Sequence, residues 1–509
     1  MFRRCAVGLA ILATFALCGA GTAGARTPVP QVTGPLPVTA TSYPFGAADH
    51  QRVPQDLRRR GYVEEEYLVS GDANVYSWPA TGPAVVRTAG APYTTRVLVR
   101  RPARRSRFSG NVVVEMLNPS NLFDLNIGWA LSHRQFLREG DVWVGITAKP
   151  IAVAALKAFD PVRYGALSFA NPLPLDDPRN CTNIQTSVDP PALRSRTTED
   201  GLIWDIYSQV GAWLRSGART NPLTYGHRRS ELERAYGWGY SQTGGYLVDY
   251  INAIHPRVRA DDGRPMYDAF LVGVAGGGFV GAVPLNQCEP APPVTDPRRQ
   301  IRNAGVPVIR IMSQSDYLLG IASRREDGNT RRDRFRHYEM AGAGHATPDE
   351  LDYSAAPADI VRTGRPVPPE SCNEGPRSRF PSSIHFNAAL RNLDRWSRYG
   401  IPAPPGRTIN VVNGAPVLDR FGNVTGGLRS PYVDVPTSTW YGSSTGASFC
   451  FIAGHEVPFD EATLRELYPT HGVYVRKVVR DVARLVARRY LTPADGLRLI
   501  REAVAADVP

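Results

Sequence analysis

Beyond its first 25 residues the chain has no stretch approaching the roughly 18 uninterrupted apolar residues of a spanning helix, so no membrane anchor is expected in the mature form. Cysteine is scarce, with 6 in 509 residues. Neither Cys181, Cys288, Cys372 nor Cys450 stands in a Cys-x-x-Cys pair, which argues against a redox motif or a zinc knuckle. The histidines are dispersed, with no helical His-x-x-x-His pair, so no metal is implied. The run Gly276-Gly277-Gly278 lacks the Lys-Ser/Thr of a phosphate-binding loop, and no cofactor is called for. No internal repeat is present. The formal net charge is +12, but the basic residues are scattered over 101–107, Arg324-Arg325 and 331–336, with acids interleaved in the last two. A solvated, arginine-rich surface is therefore expected rather than a nucleic-acid partner.

What is present begins with a leader. Arg3 and Arg4 precede an apolar run from Ala6 to about Cys18, and small residues end at Ala23-Gly24-Ala25, the order of a signal peptide cut after Ala25. The run is short for a bilayer's roughly 20 residues, which disfavours an anchor. Leu17 stands where a lipid-anchored form needs a small residue before Cys18, and the arginine pair lacks the flanks of a twin-arginine signal. Secretion, extracellular or periplasmic, is the expectation. The four remaining cysteines then suggest two disulfides, with three connectivities open.

Residues 26–60, rich in Pro, Thr and Gly, read as an irregular arm. Strands follow at Tyr62–Ser70 and Tyr93–Arg101, then at Asn111–Leu117 and Val142–Thr147 around a helix-forming stretch, Asp124–Glu139, in a βαβ rhythm. An irregular insertion is expected at about 150–198. Glu199–Ser216 has helical spacing, with Leu202, Ile206, Val210 and Leu214 on one face. Further strands are expected at Arg234–Gly239, Asp268–Val274, Val306–Met312 and Phe335–Met340, and a helix at Gly244–Ile254. These eight strands, mostly parallel, describe a doubly wound α/β sheet within one domain, 61–509. Past Ala346 a lid- or cap-like extension, about 346–460, carries an Asn413-Gly414 hairpin signal and a Gly422-Asn423 turn. Helices broken at Thr492-Pro493 close the chain over 461–505.

Two serines sit in Gly-x-Ser-x-small patterns. Gly442-Ser443-Ser444-Thr445-Gly446 is a literal Gly-x-Ser-x-Gly, whereas Gly239-Tyr240-Ser241-Gln242-Thr243-Gly244 has Thr243 where a second Gly usually stands. Context reverses the choice. A nucleophilic serine on a sharp turn needs a buried strand before it and a helix after it, and only Ser241 has both. A serine hydroxyl also needs a histidine base and a carboxylate to orient that base. Asp316 follows the strand ending at Met312, with Glu326, Asp327 and Asp333 as nearby substitutes or an N-cap as its structural alternative. His345 follows the next strand in the small-residue loop Ala341-Gly342-Ala343-Gly344. His337 lies within a strand, His255 ends a helix where a cation suits the dipole, and His385, His455 and His471 come too late. Oxyanion donors are expected from the N–H of Gln242 and from Asn118 or Ser120 in the loop after Leu117, Pro119 having no N–H.

These residues resemble the alpha/beta-hydrolase superfamily, in particular its large secreted bacterial alpha/beta-hydrolase-domain proteins. The resemblance spans Gly61-Tyr62-Val63-Glu64-Glu65-Glu66, Tyr93-Thr94-Thr95-Arg96, Glu199-Asp200-Gly201-Leu202, the turn around Ser241, Ala341-Gly342 before His345, Gly426-Gly427-Leu428-Arg429-Ser430-Pro431, and Tyr468-Pro469-Thr470-His471. It implies the alpha/beta-hydrolase fold and a Ser-His-acid site. The leading expectation is a serine hydrolase of carboxylic esters acting through an acyl-enzyme on a small-molecule or polymer-derived ester. Amide hydrolysis or acyl transfer by the same residues, or a binding protein on an inactive hydrolase scaffold, are the alternatives. Trp129, Trp204, Trp440 and Tyr441 favour an apolar or aromatic acyl group, while core packing explains tryptophans at least as often.

Overall fold

Six apolar runs between residues 111 and 339 are too short for helices and buried along nearly their whole length, as strands covered by helices on both faces must be. The computed structural model describes residues 25–182, 193–275, 285–290, 292–293, 295–321 and 324–509. The leader up to residue 24 and Gly276-Gly277-Gly278 lie outside the described residues.

Numbering the strands of the main sheet along the chain, they are β1 Gln31–Thr33, β2 Tyr62–Ser77, β3 Val85–Pro102, β4 Asn111–Met116 and β5 Val142–Ile146. The second half adds β6 Arg234–Tyr240, β7 Ala269–Gly273, β8 Val308–Met312, β9 Gly328–Asn329 and β10 Arg334–Glu339. Their order is β9-β10-β8-β7-β6-β4-β5-β3-β2-β1. From β10 to β5 every pairing is parallel, and the remaining pairings are antiparallel. All eight expected strands are present. The additions are short edges: β9, and β1 within the arm expected to be irregular.

Alternation along β6 shows how the sheet is covered, since adjacent residues of a strand face opposite ways. Trp238 packs on Phe386, 5.4 Å between rings, and lies close to Gly128, so this face takes the helices Ile127–Glu139 and Ser383–Tyr399. At Gly237 an added Cβ would meet the Tyr207 hydroxyl, so the other face takes Ile203–Arg215. The helix Gln242–Asp249 joins that layer through Trp204 against Tyr246, 5.2 Å between rings.

Several expectations are corrected. The stretch 150–198 is not irregular at its start: Pro150–Phe159 is an α-helix, with proline in the first turn, where its missing N–H costs nothing. Ser383–Tyr399, read as part of the extension, is a sheet-covering helix, because Phe386, Ala389, Leu390, Leu393 and Trp396 recur at helical spacing and are buried. The arginines are not all solvated. Arg336 is buried with its guanidinium on the Ala403, Pro404 and Gly328 carbonyls, and Arg324 makes a two-point pair with Glu339, 2.6 Å for each bond. His255 is no cation at a helix end, since burial and then Arg259 push it down to about 4. The residues shared with the resembled family explain themselves in part: Glu66 accepts from Arg96 at 2.7 Å and from Arg163 at 2.5 Å, all three buried.

The Asn413-Gly414 hairpin forms, both residues having positive φ, and Pro493–Ala505 starts on a Thr492 cap. The cysteines pair as Cys181–Cys288 and Cys372–Cys450. No helix among the described residues is long and apolar enough to cross a membrane.

Candidate active site

Strand β6 runs directly into the helix Gln242–Asp249, and the single residue between them, Ser241, absorbs the reversal with φ 54 and ψ −118. A non-glycine residue there is strained, a cost that the surrounding contacts must hold in place. Ser241 donates its N–H to Gly273 O at 2.9 Å, and its own carbonyl accepts from Gly245 at 3.0 Å. Gly239 is required because a Cβ would collide with the Thr243 carbonyl. Thr243 at the usual glycine position is accommodated: its hydroxyl accepts from Tyr240 N–H at 3.2 Å and lies 3.1 Å from Tyr240 O.

The hydroxyl of Ser241 lies 2.7 Å from His345 Nε2, and His345 Nδ1 lies 2.7 Å from Asp316 Oδ1. All three residues are buried. Asp316 does two jobs with two oxygens. Oδ2 accepts from Ser313 N–H at 3.0 Å and Ser313 Oγ at 2.5 Å, capping the helix Gln314–Gly320, which leaves Oδ1 for the histidine. Asp316 is thus both a helix cap and the hydrogen-bond partner of His345 Nδ1. Glu326, Asp327 and Asp333 do not reach His345; Asp333 pairs with Arg325 and Asp327 with Gly406 N–H.

His345 is fixed by its backbone. Its N–H donates to Ile452 O at 2.8 Å, and its carbonyl accepts from the Tyr240 hydroxyl at 2.7 Å. Gly342, at φ 89, allows the preceding turn. Burial pulls the imidazole down, but the charge and hydrogen bond of Asp316, with Glu350 behind them, leave it above its ordinary value. Glu350, which lines the same cleft, is pushed up to about 7 by burial, against the pull of His345.

Gln242 is the first residue of the helix after Ser241, so its N–H lies at the helix N-terminus beside the serine. The second expected donor is corrected. Asn118 N–H donates to Leu125 O at 3.0 Å, and Ser120 N–H to Asn118 Oδ1 at 2.8 Å, because these bonds close the 118–125 loop on itself. The Asn118 amide instead donates to Tyr240 O at 2.7 Å, bracing the turn at Ser241. Asn121, the next polar residue in the loop, lines the cleft.

The cleft is small, about 30 Å³, and is lined by Leu125, Ile127, Leu351, Phe449 and Ile452 besides its polar groups. Of the aromatic residues considered for the pocket, Trp129, Trp204 and Trp440 are core residues, Tyr441 is exposed, and none of the four lines the cleft. Glu350 and Arg377, both on the cleft, escape sequence reasoning because neither belongs to a periodic run or a motif. Among the described residues no group of three or more His, Cys, Asp or Glu is arranged to hold a metal.

A family model described as "Alpha/beta hydrolase domain" matches residues 32–501. No curated protein matches the chain. Among solved structures, the chain is similar to a thermostable esterase from Pseudomonas putida at 12% identity, over 61% of this chain and 82% of that one, with a TM-score of 0.31. It is similar to a fungal esterase from Rhizomucor miehei at 10% identity, over 62% and 83%, with a TM-score of 0.31. A Pyrobaculum calidifontis esterase is similar at 11% identity, over 53% and 74%, with a TM-score of 0.27.

Proposed function

Because the chain belongs to the alpha/beta hydrolase domain family, we propose that it is a secreted serine hydrolase that cleaves carboxylic esters through an acyl-enzyme on Ser241. His345 Nε2 takes the Ser241 proton as Oγ attacks the ester carbonyl, and returns it to the leaving alcohol. Asp316 holds the imidazole with Nδ1 protonated and stabilises the imidazolium that forms. Gln242 N–H, at the positive end of its helix, donates to the oxygen that becomes an anion. Water then repeats the cycle on the acyl-enzyme and releases the acid. Residues of the 346–460 extension, from Thr347 and Glu350 to Arg377, Phe449 and Ile452, wall the cleft and act as its cap. Secretion is supported by the leader and by the two disulfides, which persist in oxidising compartments.

The observation that carries this reading is the unbroken relay Ser241 Oγ, His345 Nε2, His345 Nδ1, Asp316 Oδ1, closed by two 2.7 Å contacts on a strained turn. A fluorophosphonate probe tests it. The expected result is one label per chain, lost in Ser241→Ala and kept in Ser444→Ala. Intact wild-type protein that takes no label would return the chain to the inactive-scaffold alternative.

A further inference from the structure

Buried arginines in this molecule are held by carboxylates and backbone carbonyls, although single nitrogens such as Arg100 Nη1 and Arg163 Nη2 are buried without a partner. Arg96 binds Glu66 and Asp124, Arg163 binds Glu66 and the Pro37 carbonyl, and Arg100 binds Glu64 and the Gly46 carbonyl. Arg377 is 6% exposed and lines the cleft that holds Ser241 and His345. Its Nε and Nη2 are buried without a hydrogen-bond partner, and its side chain makes no ion pair among the described residues. Among the described residues, Glu350 is the acidic group whose charge acts on it, from beyond ion-pair distance. An uncompensated buried cation is costly, and a guanidinium does not escape the cost by losing its proton at neutral pH.

The backbone around Arg377 is held firmly, so the side chain is not there by slack. Its N–H donates to Glu370 O at 3.0 Å across the small hairpin Ser371–Cys372 and Gly375–Pro376. Cys372–Cys450 ties that hairpin to the segment bearing Phe449 and Ile452, and Ser378 N–H donates to Gly454 O at 3.1 Å. The disulfide thus fixes a cation beside the reacting serine.

We infer that Arg377 is a specificity-determining residue that binds a carboxylate on the substrate, which makes the favoured substrates short half-esters of dicarboxylic acids. The inference rests on the ester-hydrolase reading above. A carboxylate supplies the missing counter-charge and matches the guanidinium fork. The limited space of the cleft keeps the spacer between carboxylate and ester short.

The test compares monomethyl succinate with its uncharged analogue methyl pentanoate, following acid release by wild type, Arg377→Gln and Arg377→Lys. Wild type is expected to favour the anionic ester in kcat/KM, and Arg377→Gln to lower that preference by about 10²-fold, with Arg377→Lys in between. A wild type that favours the neutral ester, or a preference unchanged in Arg377→Gln, overturns the inference. Calorimetric titration of monomethyl succinate into Ser241→Ala separates this from a failure of the hydrolase reading. Binding there that is lost in Ser241→Ala/Arg377→Gln supports the carboxylate site even without turnover. No binding to Ser241→Ala overturns it.

Discussion

Among the described residues, the hydroxyls of Ser241 and Ser444 each meet a histidine ring, and their surroundings differ. Ser241 meets His345 Nε2 at 2.7 Å, whereas Ser444 meets His455 Nδ1 at 3.0 Å. In the first pair the far nitrogen is bound by Asp316, so the near one is the free base. In the second, the same Nδ1 lies 3.1 Å from the Ser443 carbonyl, which can only accept, so Nδ1 carries the proton and cannot take another. The N–H after the serine differs too. Gln242 N–H opens a helix, whereas Thr445 N–H is already spent on the Glu374 carboxylate, at 2.9 and 3.0 Å to its two oxygens. A serine–histidine contact is thus common geometry. The carboxylate behind His345 separates the Ser241 pair from the Ser444 pair.

The largest effect expected from this difference is at the histidines. His345→Ala should lower ester turnover by a factor on the order of 10³ or more. His455→Ala, which removes only a surface contact, should change turnover by about twofold at most. Comparable losses in the two variants, measured as kcat on one short ester, would erase the distinction between the sites. Asp316→Asn comes next. It keeps the shape of the side chain but removes the charge that fixes the imidazole tautomer, and kcat should fall by a factor on the order of 10² to 10⁴. If Asp316 served only as the cap of Gln314–Gly320, the variant would lose thermal stability and keep its kcat.

Much of this comparison can be read in the sequence, and the unreadable part has a physical cause. The eight long strands are legible because Val, Ile and aromatic residues in short runs have few other uses. Ser241, Asp316 and His345 can be picked out because each follows a strand, and parallel strands bring their carboxyl ends to one edge. The choice of Ser241 over Ser444 rests on that placement, since the literal motif favours the other. Asn118 misleads because its N–H is consumed by Leu125, seven residues away across a loop without regular period. Helix Ser383–Tyr399 hides in a segment whose neighbours are rich in Pro and Gly, although its apolar spacing is sound. Glu350 and Arg377 come to the cleft from an extension whose path depends on Cys372–Cys450, and nothing local marks them.

The smallest expected effect lies in the pH profile. His345 must be neutral to accept the serine proton, and burial, opposed by Asp316 and Glu350, leaves its folded value above the ordinary 6.5. The acid limb of kcat/KM should therefore fall above pH 6.5, and activity should decline as pH drops through it. Glu350→Gln removes one charge that holds the proton on His345, so the limb should move to lower pH while the plateau rate changes little. A limb that stays in place would assign the whole upward shift to Asp316. Stability runs the other way. A group whose folded value is raised contributes fully below its unfolded value and loses that contribution as pH rises through the folded one. The pH range in which His345 would act as base is thus the range in which it has stopped stabilising the fold.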